Sequence, residues 1–106
     1  MADKIESLIL QLSESETDVA CLLDTHLDQH TEHKITSLWD GKVFFAHGKD
    51  HQAGIAILTR EARVTNFFND PSGRFATFNL CISNRNILIC PIYAPAKKNK
   101  RAWRIL

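Results

Sequence analysis

Asp24, Thr25 and His26 close an apolar run, Val19-Ala20-Cys21-Leu22-Leu23, that starts just after Asp18. A buried strand of this kind delivers its last polar residues to a sheet end. In an open α/β sheet the carboxyl ends of strands border the ligand crevice. An acid placed there suits a hard, oxygen-preferring cation such as Mg²⁺, which makes Asp24 the candidate metal ligand. Strands also end in Asp because its side chain closes turns, so position alone is a weak signal. His26 can orient Asp24 through a ring nitrogen; a local hydrogen bond within the loop is the equal alternative.

Other residues carry weaker signals. His26, His30 and His33 fall at i, i+4 and i+7 with Asp28 and Glu32 nearby. One helix would gather them for a zinc ion, but a polar surface loop is the preferred reading. Trp39, beside Asp40-Gly41, could stack on a base, although closing a core is the commoner use of tryptophan. Gly54, between Ala53 and Ile55, suits close backbone approach in a sheet. Arg74 follows a glycine turn, where it could meet a phosphate or simply be solvated. Lys97, Lys98, Lys100, Arg101 and Arg104, with Trp103 interleaved, could bind phosphate backbones weakly and without sequence preference. A helical, partly buried role for Trp103 and Ile105 competes evenly with that.

These residues hang on a legible series of elements. Ile5, Leu8, Ile9 and Leu12 follow helical spacing behind a candidate Asp3 cap, and Ser13 to Thr17 reads as the loop that ends the helix. Val19 to Leu23 lacks alternation, as a strand buried on both faces would. A short helix before Leu38 and Trp39 precedes a turn at Asp40-Gly41 and a strand over Lys42 to Ala46. His47 to Asp50 connects to a strand over Gly54 to Leu58, followed by another over Val64 to Phe68. After the Asn69-to-Gly73 turn, residues 74–82 alternate: Phe78, Leu80 and Ile82 share one face, and Phe75, Thr77, Asn79 and Cys81 the other. Ser83 to Asn86 turns the chain into Ile87 to Tyr93, where Pro91 marks an edge or a bulge. One helix and about six strands, mostly in hairpin order, define an α/β or α+β sheet protein.

The 106 residues fit one domain and are 44% hydrophobic and 24% charged, enough to build a core. No apolar stretch approaches the roughly 18 residues of a membrane span, and Asp3 and Glu6 do not read as part of a signal peptide. Cys21, Cys81 and Cys90 lie in apolar or strand-like segments and are expected to be buried free thiols of an intracellular protein, nuclear or cytoplasmic. The net charge of +1 hides an asymmetry. Residues 1–32 hold eight acids against Lys4, and the remainder holds twelve Lys and Arg against four acids.

The order of these motifs resembles the endonuclease/exonuclease/phosphatase superfamily, nearest to the AP-endonuclease-like domains of non-LTR retrotransposons. The resemblance is carried by the helix, the strand ending Asp24-Thr25-His26, the Trp39 loop, Ala53 to Leu58, the Asp70-to-Gly73 turn with Arg74, and Ile92-Tyr93-Ala94-Pro95. It spans roughly residues 5 to 96, leaving 97–106 as a basic tail or the start of a further helix. It implies an α/β fold that is part of a four-layered α/β sandwich, and Mg²⁺- or Mn²⁺-dependent hydrolysis of phosphate esters, with DNA as partner. Asp24 matches the family's metal-binding acid, normally Glu after Gln, so Leu23-Asp24 departs from the pattern at both positions. Tyr93 matches a tyrosine at the family's phosphate site, where its hydroxyl would contact a phosphate oxygen or order the attacking water.

The family's opening strand with its catalytic Asn, its Gly-Asp-x-Asn motif and its late Asp-His pair have no counterpart in these residues. Metal-assisted hydrolysis needs several such parts together, so the expectation is a truncated phosphodiesterase, inactive alone. Two alternatives remain: an interaction module that self-associates through an uncovered sheet face, and weak nucleic-acid binding by the basic tail.

Overall fold

Ile9 is fully buried and Ile5 and Leu12 pack beside it, so the expected stripe seats α1 (Ala2–Glu14) on a sheet; Leu8, at its margin, is 40% exposed. The computed structural model describes residues 2–94. The basic tail, with Trp103 and Ile105, lies outside the described residues. After α1 come β1 (Val19–Leu23), a 3₁₀ turn at Gln29–Thr31, α2 (His33–Thr36), β2 (Lys42–Ala46), a 3₁₀ turn at Lys49–His51, β3 (Ile55–Thr59), β4 (Arg63–Asn69), β5 (Ala76–Ile82) and β6 (Arg85–Ile89). Helix and sheet are mixed, and the strands form two three-stranded antiparallel sheets, ordered β1-β3-β2 and β4-β5-β6.

Every residue of β3 is buried, and alternation sends its side chains to two different cores. Ile55 and Ile57 meet Phe78, Leu80 and Ala76 of the second sheet, with the Phe44 and Phe67 rings meeting across the gap at 5.5 Å between centroids and a 39° tilt. Ala56 and Leu58 lie beneath Ile9, Ile35 and Trp39. The layers are therefore helices, first sheet, second sheet.

Several expectations change here. β1 is an edge strand, not one buried on both faces, because β3 takes the central position. Cys21 and Leu23 pair with Ile57 and Ile55 and point toward the second sheet, which does not extend over them, so both are exposed. The cysteines are free, as expected, but Cys21, on an edge strand, and Cys90, just past β6, are exposed, and Cys81 is half-buried because it alternates to the outer face of the central strand β5. The last strand starts two residues early: Ser83 and Asn84, at φ 50° and 62°, form a two-residue hairpin loop with Ile82 opposite Arg85. It also ends at Ile89, before Pro91, which has no N–H to give a ladder. Asn66, at φ 54°, is the extra residue of a bulge in β4 that turns Phe67 into the core and Phe68 outward. The predicted alternation along β5 is present, with Ala76, Phe78 and Leu80 buried.

One arginine closes the end of the molecule opposite β1's Asp24. The Arg60 guanidinium donates to the carbonyls of Ser13 (2.9 Å), Thr17 (3.0 Å), Ser15 (3.3 Å) and Leu12 (3.4 Å) at the end of α1. It lies 4.5 Å above the Trp39 ring, whose Nε1 donates to the Thr59 carbonyl at 3.1 Å. Asp18 Oδ1 in turn accepts the backbone N–H groups of Arg60, Glu61 and Ala62. Trp39 is thus a core residue, only 4% exposed.

Charge-assisted hydrogen bonds of this kind contribute about 1.5–3 kcal/mol each when their partners are left unsatisfied, less where water can replace them. Replacement Arg60→Ala is expected to lower unfolding stability by about 2 kcal/mol, read as a shifted urea midpoint at unchanged slope. Arg60→Lys should recover only part of it, because an ammonium cannot reach four carbonyls and cover an indole face together.

Candidate functional site

At the other end of the molecule β1, β2, β4 and β6 finish while β3 and β5 begin, and backbone hydrogen bonds join the loops into one surface. His26 N–H donates to the Ala53 carbonyl (2.8 Å) and Thr25 N–H to that of Gly54 (3.1 Å). Gly54 N–H donates to Gly73 (2.9 Å) and Tyr93 N–H to Arg74 (2.6 Å). The segments holding Asp24, Arg74 and Tyr93 are therefore successive links of one network. Two glycines permit the close approach. Gly73 has φ +72°, and a Cβ on it would fall on the backbone of Gly48; Gly54 has φ +102° and lies against Thr25 Oγ1.

Asp24 and His26 both adopt left-handed backbone, with φ 61° and 58°. Their side chains then meet, His26 Nε2 standing 2.9 Å from Asp24 Oδ1. The other ring nitrogen, Nδ1, donates to the His51 carbonyl at 2.7 Å. The His26 ring thus contacts both Asp24 and the His51 carbonyl of the facing loop. Asp50, His51 and Ala53 also have φ between 53° and 60°. Five non-glycine residues in this region within two facing loops concentrate backbone strain here, a property that functional sites share.

Two further histidine–acid pairs join the same loops, His47–Glu32 at 2.7 Å and His51–Asp28 at 3.2 Å. Asp28 also caps the Gln29–Thr31 turn, accepting from the backbone of His30 and Thr31, while Thr31 Oγ1 receives Asp28 N–H. Desolvation acts to raise the Asp28 carboxyl, but the Thr31 hydroxyl, the His51 ring and the two backbone donors outweigh it, and it lies below its usual range. Asp70 is lowered too, by the hydroxyl and backbone N–H of Ser72.

A cleft of about 460 Å³ opens between Lys49–Ala53 and Asp70–Arg74. Lys49 and Arg74 bring positive charge from opposite walls, Gln52 and Ser72 are polar, and Asp70 is the acid. Ala53 borders both this cleft and the Asp24–His26 pair. Asp24, His26 and Tyr93 are brought to the same end, yet none of the three lines the cleft. Arg74 does line it; Lys49 and Gln52 were not anticipated, and the one signal for them is the polar, glycine-bounded loop between two strands.

One carboxylate oxygen of Asp24 already meets the His26 ring. Among the described residues no three His, Cys, Asp or Glu side chains gather in a way that could hold a metal ion. At Asp24 a Mg²⁺ or Mn²⁺ ion would meet one protein carboxylate, with water left to fill its other oxygen positions. His30 and His33 do not join His26 on one helical face, because the chain forms a 3₁₀ turn and then restarts as α2. No family model matches the chain.

The lowered carboxyls fix a pH dependence. A carboxyl depressed in the folded state contributes stability above its unfolded value and loses it as pH falls through its folded value. Stability should therefore decline below about pH 4, and the urea midpoint of Asp28→Asn should fall less steeply in that range than that of the unaltered protein.

Proposed function

We propose that the chain carries part of a phosphodiesterase scaffold of the endonuclease/exonuclease/phosphatase type, and that these residues bind nucleic-acid phosphodiesters without cleaving them. The observation that carries this reading is the single hydrogen-bonded surface linking Asp24, His26, Arg74 and Tyr93 beside a cleft with Lys49. Helices, first sheet and second sheet would then be three layers of a four-layered sandwich.

Each side chain has a definite capacity in this reading. Lys49 and Arg74 neutralise phosphate charge from two sides, as a point charge and a planar fork respectively. Asp24 holds the His26 ring in one orientation, and the ring can donate to a phosphate oxygen if it exchanges its bond to Asp24. Tyr93 can donate its hydroxyl to the same group. Hydrolysis further needs a base to activate water and a group to stabilise the leaving oxygen. In the resembled family these come from an opening-strand Asn, a Gly-Asp-x-Asn motif and a late Asp-His pair; the 106 residues hold no Gly-Asp-x-Asn, and their Asp50-His51 pair falls mid-sequence rather than after the Tyr93 turn. Mg²⁺ or Mn²⁺ would add Lewis-acid chemistry, but the donor set described above supports at most a weakly held ion. An intracellular setting, nuclear or cytoplasmic, accompanies a DNA partner; no helix among the described residues is long and apolar enough to cross a membrane.

A second reading, self-association, is favoured by one observation. Leu88 (72%), Ile92 (62%) and Phe68 (51%) are exposed on or beside the second sheet, where a partner could cover them.

Fluorescence anisotropy with labelled duplex DNA, with and without Mg²⁺, tests the first reading. Binding is expected to weaken with added salt, and the combined Lys49→Ala and Arg74→Ala changes should reduce the salt slope by about two. Plasmid nicking should stay at background. Mg²⁺-dependent nicking abolished by Asp24→Ala would show a working nuclease instead, and salt-insensitive or absent binding would remove the phosphodiester reading.

A further inference from the structure

The bulge at Asn66 turns Phe68 out of the sandwich. Phe68 pairs with Thr77 on the outer face of the second sheet and is 51% exposed. Phe75 shares that face, its ring centroid 6.2 Å from that of Phe68 at a tilt of 40°. Ile92, 62% exposed, bridges Phe75 from the far side. An apolar row, Phe68-Phe75-Ile92, thus crosses the sheet at the end where the cleft opens.

Its position relative to charge matters most. Phe68 lies two residues before Asp70, Phe75 directly follows Arg74, and the Asp70 N–H to Phe75 carbonyl bond (3.2 Å) closes the turn between them. One cation of the cleft, Arg74, and the two aromatic residues therefore belong to the same turn, with Lys49 on the facing loop. Core packing explains Phe67 and Phe78, whose rings meet inside, but not a half-exposed Phe68.

Interleaved cations and exposed aromatic rings are the chemistry of single-stranded nucleic acid recognition: phosphates follow the basic groove and unpaired bases stack on the rings. A duplex hides its base faces and could use only the cations. We propose that this end of the protein is a site for an unpaired nucleotide, with a phosphate between Lys49 and Arg74 and a base against Phe68 and Phe75. The cleft volume lies within the range of about 300–1,000 Å³ usual for small-ligand sites. Asp70 in the cleft wall repels phosphate, which confines the anion to the Lys49–Arg74 side. The inference rests on the phosphodiester reading and adds a preference for single strands.

The test compares a labelled oligothymidylate with the same strand annealed to its complement, at equal salt. The single strand should bind more tightly than the duplex. Phe68→Leu, which keeps an apolar side chain but removes the ring, should weaken single-strand binding about tenfold and leave duplex binding unchanged; Phe68→Trp should preserve it. Equal binding of both forms, unaffected by Phe68→Leu, overturns the unpaired-nucleotide site and leaves the phosphodiester reading standing. Binding of neither form, in a folded protein, overturns both.

Discussion

Burial of β3 on both faces is the constraint on which the rest of this molecule depends. Ile55 and Ile57 anchor the second sheet, Ala56 and Leu58 seat the helices, and both neighbouring strands hydrogen-bond to this one segment. Small residues at Ala53, Gly54 and Ala56 let the chain enter this crowded position. Because β3 starts at the candidate site and finishes at Arg60, it sets the spacing between the two ends.

Those ends are built differently. Around Arg60 a charged fork, an indole and the Asp18 carboxylate satisfy backbone groups that would otherwise be orphaned, which is how a helix end and a tight turn are stabilised. Around Asp24 the backbone is instead held in left-handed conformations by a network of loop-to-loop bonds and three histidine–acid pairs. Exposed pairs of this sort contribute little each, so the strained loops are maintained collectively. A surface that spends stability to hold polar groups in fixed places is what a binding site requires.

Much of the architecture could be read from residue order, and the exceptions have physical causes. Helical spacing at Ile5, Ile9 and Leu12, alternation from Ala76 to Leu80 and the turn at Asp40-Gly41 are local signals, and each corresponds to the element found. Val19–Leu23 and Ile55–Thr59 are both short continuous apolar runs, and no periodicity ranks two such runs as edge and centre. The rule that ligands gather at carboxyl ends of strands belongs to parallel sheets. In these antiparallel sheets Asp24 owes its setting to loops from both sheets. Lys49 and the His51 carbonyl reach the site through a backbone excursion at Asp50 to Ala53, which side-chain types do not announce. The exposure of Phe68 follows from a one-residue bulge, equally silent in composition.

On the function we propose, one end of the sandwich receives phosphodiesters. A titration of ¹⁵N-labelled protein with a short oligonucleotide, followed by amide chemical shifts, tests it residue by residue. Shifts are expected to concentrate in residues 24–26, 49–54 and 70–75. Shifts confined to residues 97–106, with those three loops unmoved, would contradict it and assign binding to the basic tail alone.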